Sequence, residues 1–241
     1  MHPAYILHAR PYRETSLLLE AFTRDHGRIG LVARGVRGAR GQSQRAVLQP
    51  MQPLLLSWGG RGELLRLNAA EPAGSAPLLA GDSLLAGFYL NELVLRLLPR
   101  GEPQPDLFWR YAECLGALGE PDTPMAWELR RFERDLLAAT GYALELEAAG
   151  EGGETLDPGG RYRVDPMTGP YRVRDATAES VSGAALLALG EDRKPDAEGL
   201  RELRRLLREV LRHHLGGREL RSWQLLSDLA GARRGREGDR G

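Results

Sequence analysis

The first seventy residues set short apolar runs between polar turns, with the length of strands. "AYILHAR" (4–10), "SLLLEAFT" (16–23) and "GRIGLVAR" (27–34) are separated by "PYRET" and "RDHG". After a segment rich in glycine and arginine come "QPLLLSW" (52–58) and "GELLRLNAAE" (62–71), joined by the hairpin turn "GGRG". Five strands in about seventy residues predict a small closed barrel. A five-stranded OB-type barrel is the natural candidate, and strand count alone also allows an SH3-like barrel.

The period then lengthens. "DSLLAGFYLNELVLRLLP" (82–99) has an Asp/Ser start, a proline stop and apolar residues nearly all round, which predicts a buried helix. "QPDLFWRYAECLGALG" (104–119) is a second, with Pro105 in its first turn. In "TPMAWELRRFERDLLAATG" (123–141), Thr123 is the expected cap, Pro124 the first helical residue and Gly141 the stop. Met125, Leu129, Phe132 and Leu136 give that helix its apolar face. Residues 147–160 read as an exposed acidic loop.

"RYRVDPMTGPYRVRD" (161–175) reads as a hairpin with Tyr162, Val164, Tyr171 and Val173 inward. Arg161, Arg163, Arg172 and Arg174 are expected on its polar face. Either Asp157, Asp165, Asp175 and Glu179 or a bound anion must then offset their repulsion. Two more helices follow, "SVSGAALLAL" (180–189) and "PDAEGLRELRRLLREVLRHHLGG" (195–217). The second has Asp196 as cap, Gly216 as stop and a stripe of Leu200, Leu203, Leu207, Val210 and Leu211. The expected class is α+β: an N-terminal OB-fold β-barrel (1–78), then a mainly α-helical domain (79–228) with a small β-hairpin insertion at 161–174. A disordered tail (229–241) is expected to end the chain.

At 42% hydrophobic and 27% charged, 241 residues have the composition of a globular chain. Cys114 is the only cysteine, so neither an intrachain disulfide nor a thiolate zinc cluster can form. In its helical neighbourhood it reads as a core filler. The chain opens without a charged leader and apolar run. Its most apolar stretch (84–98) is short for a bilayer and holds Asn91, Glu92 and Arg96. A cytoplasmic, nucleoid-associated protein with no membrane partner is expected.

Charge changes this picture more than composition does. The formal net charge is zero, yet residues 1–74 hold ten basic and five acidic residues, and 201–241 hold eleven and six. The stretch between holds twelve and twenty-two, so the chain runs basic, acidic, basic. No Asp or Glu occurs from His26 to Gly62. Arginine enrichment by itself carries no message, because Lys194 is the sole lysine and Ala, Gly and Arg are abundant together.

No constellation for catalysis assembles. His213 and His214 are adjacent and fall on different helix faces, and "GGRG" lacks the Lys-Ser/Thr of a phosphate loop. Glu128 and Glu133 share a helix with Arg130, Arg131 and Arg134, so they read as solvated ion-pair partners. No enzyme activity, cofactor or metal is expected. Binding has more support: Arg34, Arg37 and Arg40 recur every third residue, each followed by a glycine. Glycine admits close backbone approach, and guanidinium forks match phosphate oxygens. With Arg28, Arg45 and Arg61 they are the expected nucleic-acid contacts, and Arg218 and Arg221 form a second basic surface. Tyr5, Tyr12, Phe22 and Trp58 are the only aromatics of this region, which favours backbone tracking over base stacking.

"HARPYRETSLLLEAFTRDHGRIGLVARGVRG", "LQPMQPLLLSW", "YLNELVLRLL", "LFWRY", "LRRFERDLLAATGYAL" and "LGGRELRSWQLL" occur in an order that resembles the RecO family of bacterial DNA repair and recombination proteins. The resemblance runs from residue 4 to 226. It implies an OB-fold followed by a helical domain and a non-enzymatic recombination mediator. Such proteins bind single- and double-stranded DNA, anneal complementary strands, and with RecR and in some settings RecF help load RecA onto DNA coated by single-stranded-DNA-binding protein (SSB). Many members carry four zinc-binding cysteines, the first after a "GYxLxL" segment and the others near the later hairpin. Here "GYALELEAAGEGG" and "YRVDPMTGPYRV" hold none, so the likeness is to a zinc-free branch. The family's helical domain receives the acidic, phenylalanine-ended tail of SSB. Arg130 and Arg131, with Leu129, Phe132 and Leu136 and a floor at Leu90, are the expected receptor here. Pairing of the two arginines with Glu128, Glu133 or Asp135 is the competing expectation. An OB-fold RNA-binding protein of translation or ribosome assembly is the alternative function.

Overall fold

The computed structural model describes every residue except 39–40, 150–152, 176, 178 and 226–241. Contacts divide the chain into two compact units, Met1–Thr123 with the chain from Leu220 onward, and Pro124–Glu219.

The first unit begins with β1 (His2–Tyr12), β2 (Ser16–Thr23) and β3 (Gly27–Ala33), then α1 (Gln42–Val47), β4 (Pro53–Gly59) and β5 (Leu64–Pro72). The strands close in the order β1-β2-β3-β5-β4, with β4 returning to β1. The β3–β5 pair is parallel and the others are antiparallel. That parallel closure, with a helix between the third and fourth strands, selects the OB-type barrel over the SH3-like alternative. Alternate residues fill the interior: Leu17, Leu19 and Ala21 from β2, and Ile29, Leu31 and Ala33 from β3. Register shifts at Ile6/His8 and Ser57/Trp58 supply the bends that closure of so small a barrel needs.

Part of the outer wall is covered. In α2 (Asp82–Leu97) and α3 (Pro105–Leu118), Phe108 and Tyr111 meet Tyr5 and Phe22 at ring separations of 5.1–6.0 Å. Buried Asn91 donates to Leu7 O at 3.0 Å and accepts from the Tyr111 hydroxyl, tying both helices to β1. Arg28 donates to Leu98 O and to Glu20 Oε2, each at 2.9 Å, and Arg100 also pairs with Glu20. Helix α2 is not buried all round as its composition predicts, because Leu84 and Phe88 are 37% and 47% exposed. From the chain end, Trp223 packs on Tyr89, and Glu92 accepts the N–H groups of Arg221 and Ser222 at 2.9 Å.

The second unit holds α4 (Met125–Ala139), β6 (Ala148–Ala149), β7 (Glu154–Thr155), β8 (Arg161–Asp165), β9 (Gly169–Val173), β10 (Val181–Ser182), α5 (Gly183–Gly190) and α6 (Ala197–His214). Strands β10-β8-β9 form one sheet; β6 and β7 form a short pair inside the expected acidic loop. Gly141 at φ +84° and Gly216 at φ +67° follow α4 and α6 as expected, and Asp196 caps α6 through Gly199 N at 2.7 Å.

Two facial expectations change. On α4, Met125 and Leu129 are half-buried, whereas Trp127, Arg130 and Glu133 are buried with Phe132 and Leu136. The buried Arg130–Glu133 pair lets the helix turn a charged stripe inward. On the hairpin, Arg161 pairs with Val173 and Arg163 with Tyr171, because a three-residue turn separates Asp165 from Gly169. Paired residues share a face, so Tyr171 is exposed and the four arginines split between two faces. Acids offset them: Arg161 meets Glu202, Arg163 meets Glu179 and Arg172 meets Asp157.

Candidate nucleic-acid interface

The outer wall of the barrel that α2 and α3 leave open has apolar Leu18 and Val32 at its centre and arginines at its edges. Positions that alternate away from the core on four adjacent strands fall in one row, through the pairs Arg10↔Leu18, Leu18↔Val32 and Val32↔Arg66. Exposed Arg10 and Arg66 end the row, and exposed Arg34 follows β3 directly, two residues beyond Val32. The turn 13–15 adds Arg13, and the β4–β5 turn carries exposed Arg61. In OB barrels the β2–β3 wall and these two turns are the usual place for an oligonucleotide.

The glycine-rich segment after β3 is docked onto that wall. The Arg37 amide donates to Thr15 O at 2.9 Å, and its guanidinium donates to Arg13 O at 3.2 Å. Arg13 lies over the Tyr12 ring at 5.2 Å. Val36 is fully buried and anchors the segment in the barrel core. Gly35 has φ +73°, and a Cβ on Gly41 would stand 2.4 Å from Gly35 O, so both positions need glycine.

The sequence-predicted contacts separate into groups. Arg34, Arg37, Arg45 and Arg61 are exposed; Arg40 lies outside the described residues. Arg28 is committed to Glu20 and Leu98, part-buried, and serves the fold. Arg218 and Arg221 are exposed, in different units. Arg10, Arg13 and Arg66 were not singled out from the sequence, although strand alternation in "YILHAR" and "ELLRLN" places Arg10 and Arg66 opposite the apolar positions. Among the described residues, none of Arg10, Arg13, Arg34, Arg37, Arg45, Arg61 or Arg66 has a carboxylate within ion-pair distance. Only Glu14 and Glu63, both exposed, lie in the flanking turns. Unpaired guanidinium groups at both ends of that row and in the flanking turns are suited to a polyanion.

Aromatic platforms are few. Tyr5 and Phe22 are buried against α3, and Tyr12 sits beneath Arg13. Trp58 remains half-buried, with His2 and His26 at 4.9 and 5.2 Å.

On α4, Arg131 pairs with Glu128 at 3.2 Å and with Asp192, whose Oδ1 accepts from Nε at 2.7 Å. The hydrogen bond from Arg131 holds the Asp192 carboxyl below its ordinary range. Phe132, Leu136 and Leu90 are fully buried, with Leu90 in the other unit, and Leu129 is half-buried. Cys114 is buried in α3, and among the described residues no three His, Cys, Asp or Glu side chains gather for a metal. The residues present therefore do not fit a thiolate zinc site. Among the described residues, no helix is long and apolar enough to cross a membrane.

Known proteins resemble this chain in sequence over nearly its whole length. The family profile described as Recombination protein O N terminal matches residues 1–76, and Recombination protein O C terminal matches 79–224. The DNA repair protein RecO of Xanthomonas euvesicatoria pv. vesicatoria is 52% identical over 231 residues, covering 94% of this chain and 95% of that one. The DNA repair protein RecO of Stenotrophomonas maltophilia strain R551-3 is 49% identical over 230 residues, with the same coverage. With both halves of the family pattern in one chain and an OB-type barrel at its start, this chain belongs to the RecO family of DNA repair proteins.

Proposed function

We propose that the chain is a non-enzymatic recombination mediator whose barrel holds single-stranded DNA through the Arg10–Arg34–Arg66 wall. The observation that carries this reading is the absence, among the described residues, of carboxylate partners for the arginines of that wall. Cations left unpaired by the fold keep their full attraction for phosphates, and bound counterions are released when DNA arrives. The same wall binds duplex DNA more weakly, through phosphates alone. Annealing follows from neutralising two strands on one protein. With RecR, and with RecF where it takes part, the chain then helps load RecA onto SSB-coated DNA.

Reception of the SSB tail belongs to the surface side of α4. Arg131 and half-buried Leu129 are the members of the expected receptor that solvent reaches best, and an acidic tail would exchange with Asp192 for Arg131. One experiment tests the whole reading: annealing of complementary oligonucleotides, bare and SSB-coated, over a series of salt concentrations. Acceleration at low salt that fades with salt is expected. Arg10→Ala with Arg34→Ala and Arg66→Ala slows both substrates and lowers the salt slope of single-strand binding by about 2, at about 0.7 per contact. Arg131→Ala slows only the coated substrate. No acceleration at low salt overturns the mediator reading, and tighter binding of matched RNA than DNA returns the RNA-binding alternative.

A further inference from the structure

Helix α6 divides its side chains cleanly. Leu203, Leu206, Leu207, Val210 and Leu211 are buried, and Arg201, Arg204, Arg205, Arg208 and Arg212 are exposed. Burial of the leucine face explains why the helix forms; it places no demand for arginine on the other side. At 1.5 Å per residue the arginines run for about 16 Å along the surface. Arg201, Arg205, Arg208 and Arg212 follow one another at steps of about 4.5–6 Å of rise.

Acids neutralise only part of this ridge. Glu202 points inward to Arg161 and Ser182, and Glu198 pairs with Arg201. Glu209 is exposed, yet among the described residues Arg204, Arg205 and Arg212 have no carboxylate within ion-pair distance. This contrasts with α4 in the same unit, where Arg130, Arg131 and Arg134 are all paired. The ridge also lacks any exposed apolar residue between 201 and 213. A peptide partner docks by seating apolar anchors, and nothing here would receive them. A ligand with regularly repeated negative charge and no need of a pocket fits the surface.

We propose that the exposed face of α6 is a second nucleic-acid site, which tracks the phosphates of a single strand independently of the barrel wall. It deepens the DNA-binding reading above and rests on it. The test counts strands bound to the full chain. Short oligo-dT is titrated at low salt and the stoichiometry read by sedimentation, for the unmodified chain and for two triple variants.

The unmodified chain is expected to bind two strands. Arg204→Ala with Arg205→Ala and Arg212→Ala is expected to bind one, with an unchanged melting temperature. Arg204→Lys with Arg205→Lys and Arg212→Lys, which keeps the charge, is expected to bind two. Combining the alanine set with the barrel variant removes both. The proposal is overturned if the unmodified chain binds one strand, if the α6 alanine variant still binds two, or if the lysine variant loses the second strand. It is also overturned if polyglutamate, and not oligo-dT, is the ligand that the alanine variant loses, which would mark an acidic protein partner. A barrel variant that keeps both strands sinks the barrel reading alone and leaves the α6 count to stand or fall by itself.

Discussion

Glu202 occupies a buried position on an arginine-rich helix and shows how one residue can carry a unit's order. Its carboxylate accepts from Ser182 N at 2.9 Å, Ser182 Oγ at 2.7 Å and Arg161 Nη1 at 2.5 Å, so it ties α6 to β10 and β8. Burial pushes its pKa up, but the Ser182 amide and hydroxyl and the Arg161 guanidinium together pull it below the ordinary glutamate range. A depressed pKa in the folded state means that the carboxylate stabilises fully above its unfolded pKa and loses that contribution as pH falls through the folded value. Glu202→Gln puts an amide NH₂ among donors and is expected to cost about 1–3 kcal/mol near pH 7. Urea unfolding checks this: the gap between variant and parent should shrink below about pH 4, the ordinary glutamate value. A gap that stays constant into acid refutes the charge argument. Single residues of this kind are hard to read from sequence. Glu202 is one of many acids near arginines, and only the neighbouring strand reveals that its partners lie inward. Arg28 and Arg34 pose the same problem within one basic run. Glu20, eight residues earlier on the paired strand, takes Arg28 into the fold and leaves Arg34 in solvent.

At the scale of elements, the longer strands and helices were legible to within about three residues, because apolar period is local, whereas the short α1, β6, β7 and β10 were not, and Pro124 rather than the expected Thr123 stands at the start of α4. The strand read at 16–23 is β2, Ser16–Thr23, and the glycine stops of α4 and α6 stand where they were expected. Facing was not legible where it depends on a partner. The hairpin faces turn on a three-residue loop, and the buried stripe of α4 turns on a buried ion pair. Of the proposed wall, the loop arginines stand out in the sequence as a run, whereas Arg10 and Arg66 come together only once the register puts them at the two ends of one row. What ties the barrel to its helical cover is the Asn91 junction between α2, α3 and β1. Asn91→Leu removes a donor from Leu7 O and an acceptor from the buried Tyr111 hydroxyl. A loss of about 1–3 kcal/mol in unfolding free energy is expected. An equal loss for Asn91→Leu in a Tyr111→Phe background would show that the Tyr111 bond contributes nothing.

For the whole molecule, zero net charge conceals an uneven distribution of charge. Each unit exposes its own arginine surface, the barrel wall in one and the α6 ridge in the other, while the acidic residues concentrate between 75 and 200. A protein that merely screened phosphates would speed annealing to a plateau as more was added. A protein that bridges two strands behaves differently, because bridging needs one strand on each surface of the same molecule and raises their effective concentration. Once protein exceeds strands, each strand is held by separate molecules and bridged pairs become rare. The annealing rate at low salt is therefore expected to rise with protein, pass through a maximum near one protein per pair of strands, and fall. Fluorescence energy transfer between labelled complementary strands reads this directly. The maximum should vanish in both the barrel and the α6 alanine variants, because each leaves a single surface. A plateau in the unmodified chain would mean that charge screening, and not two-strand capture, drives annealing.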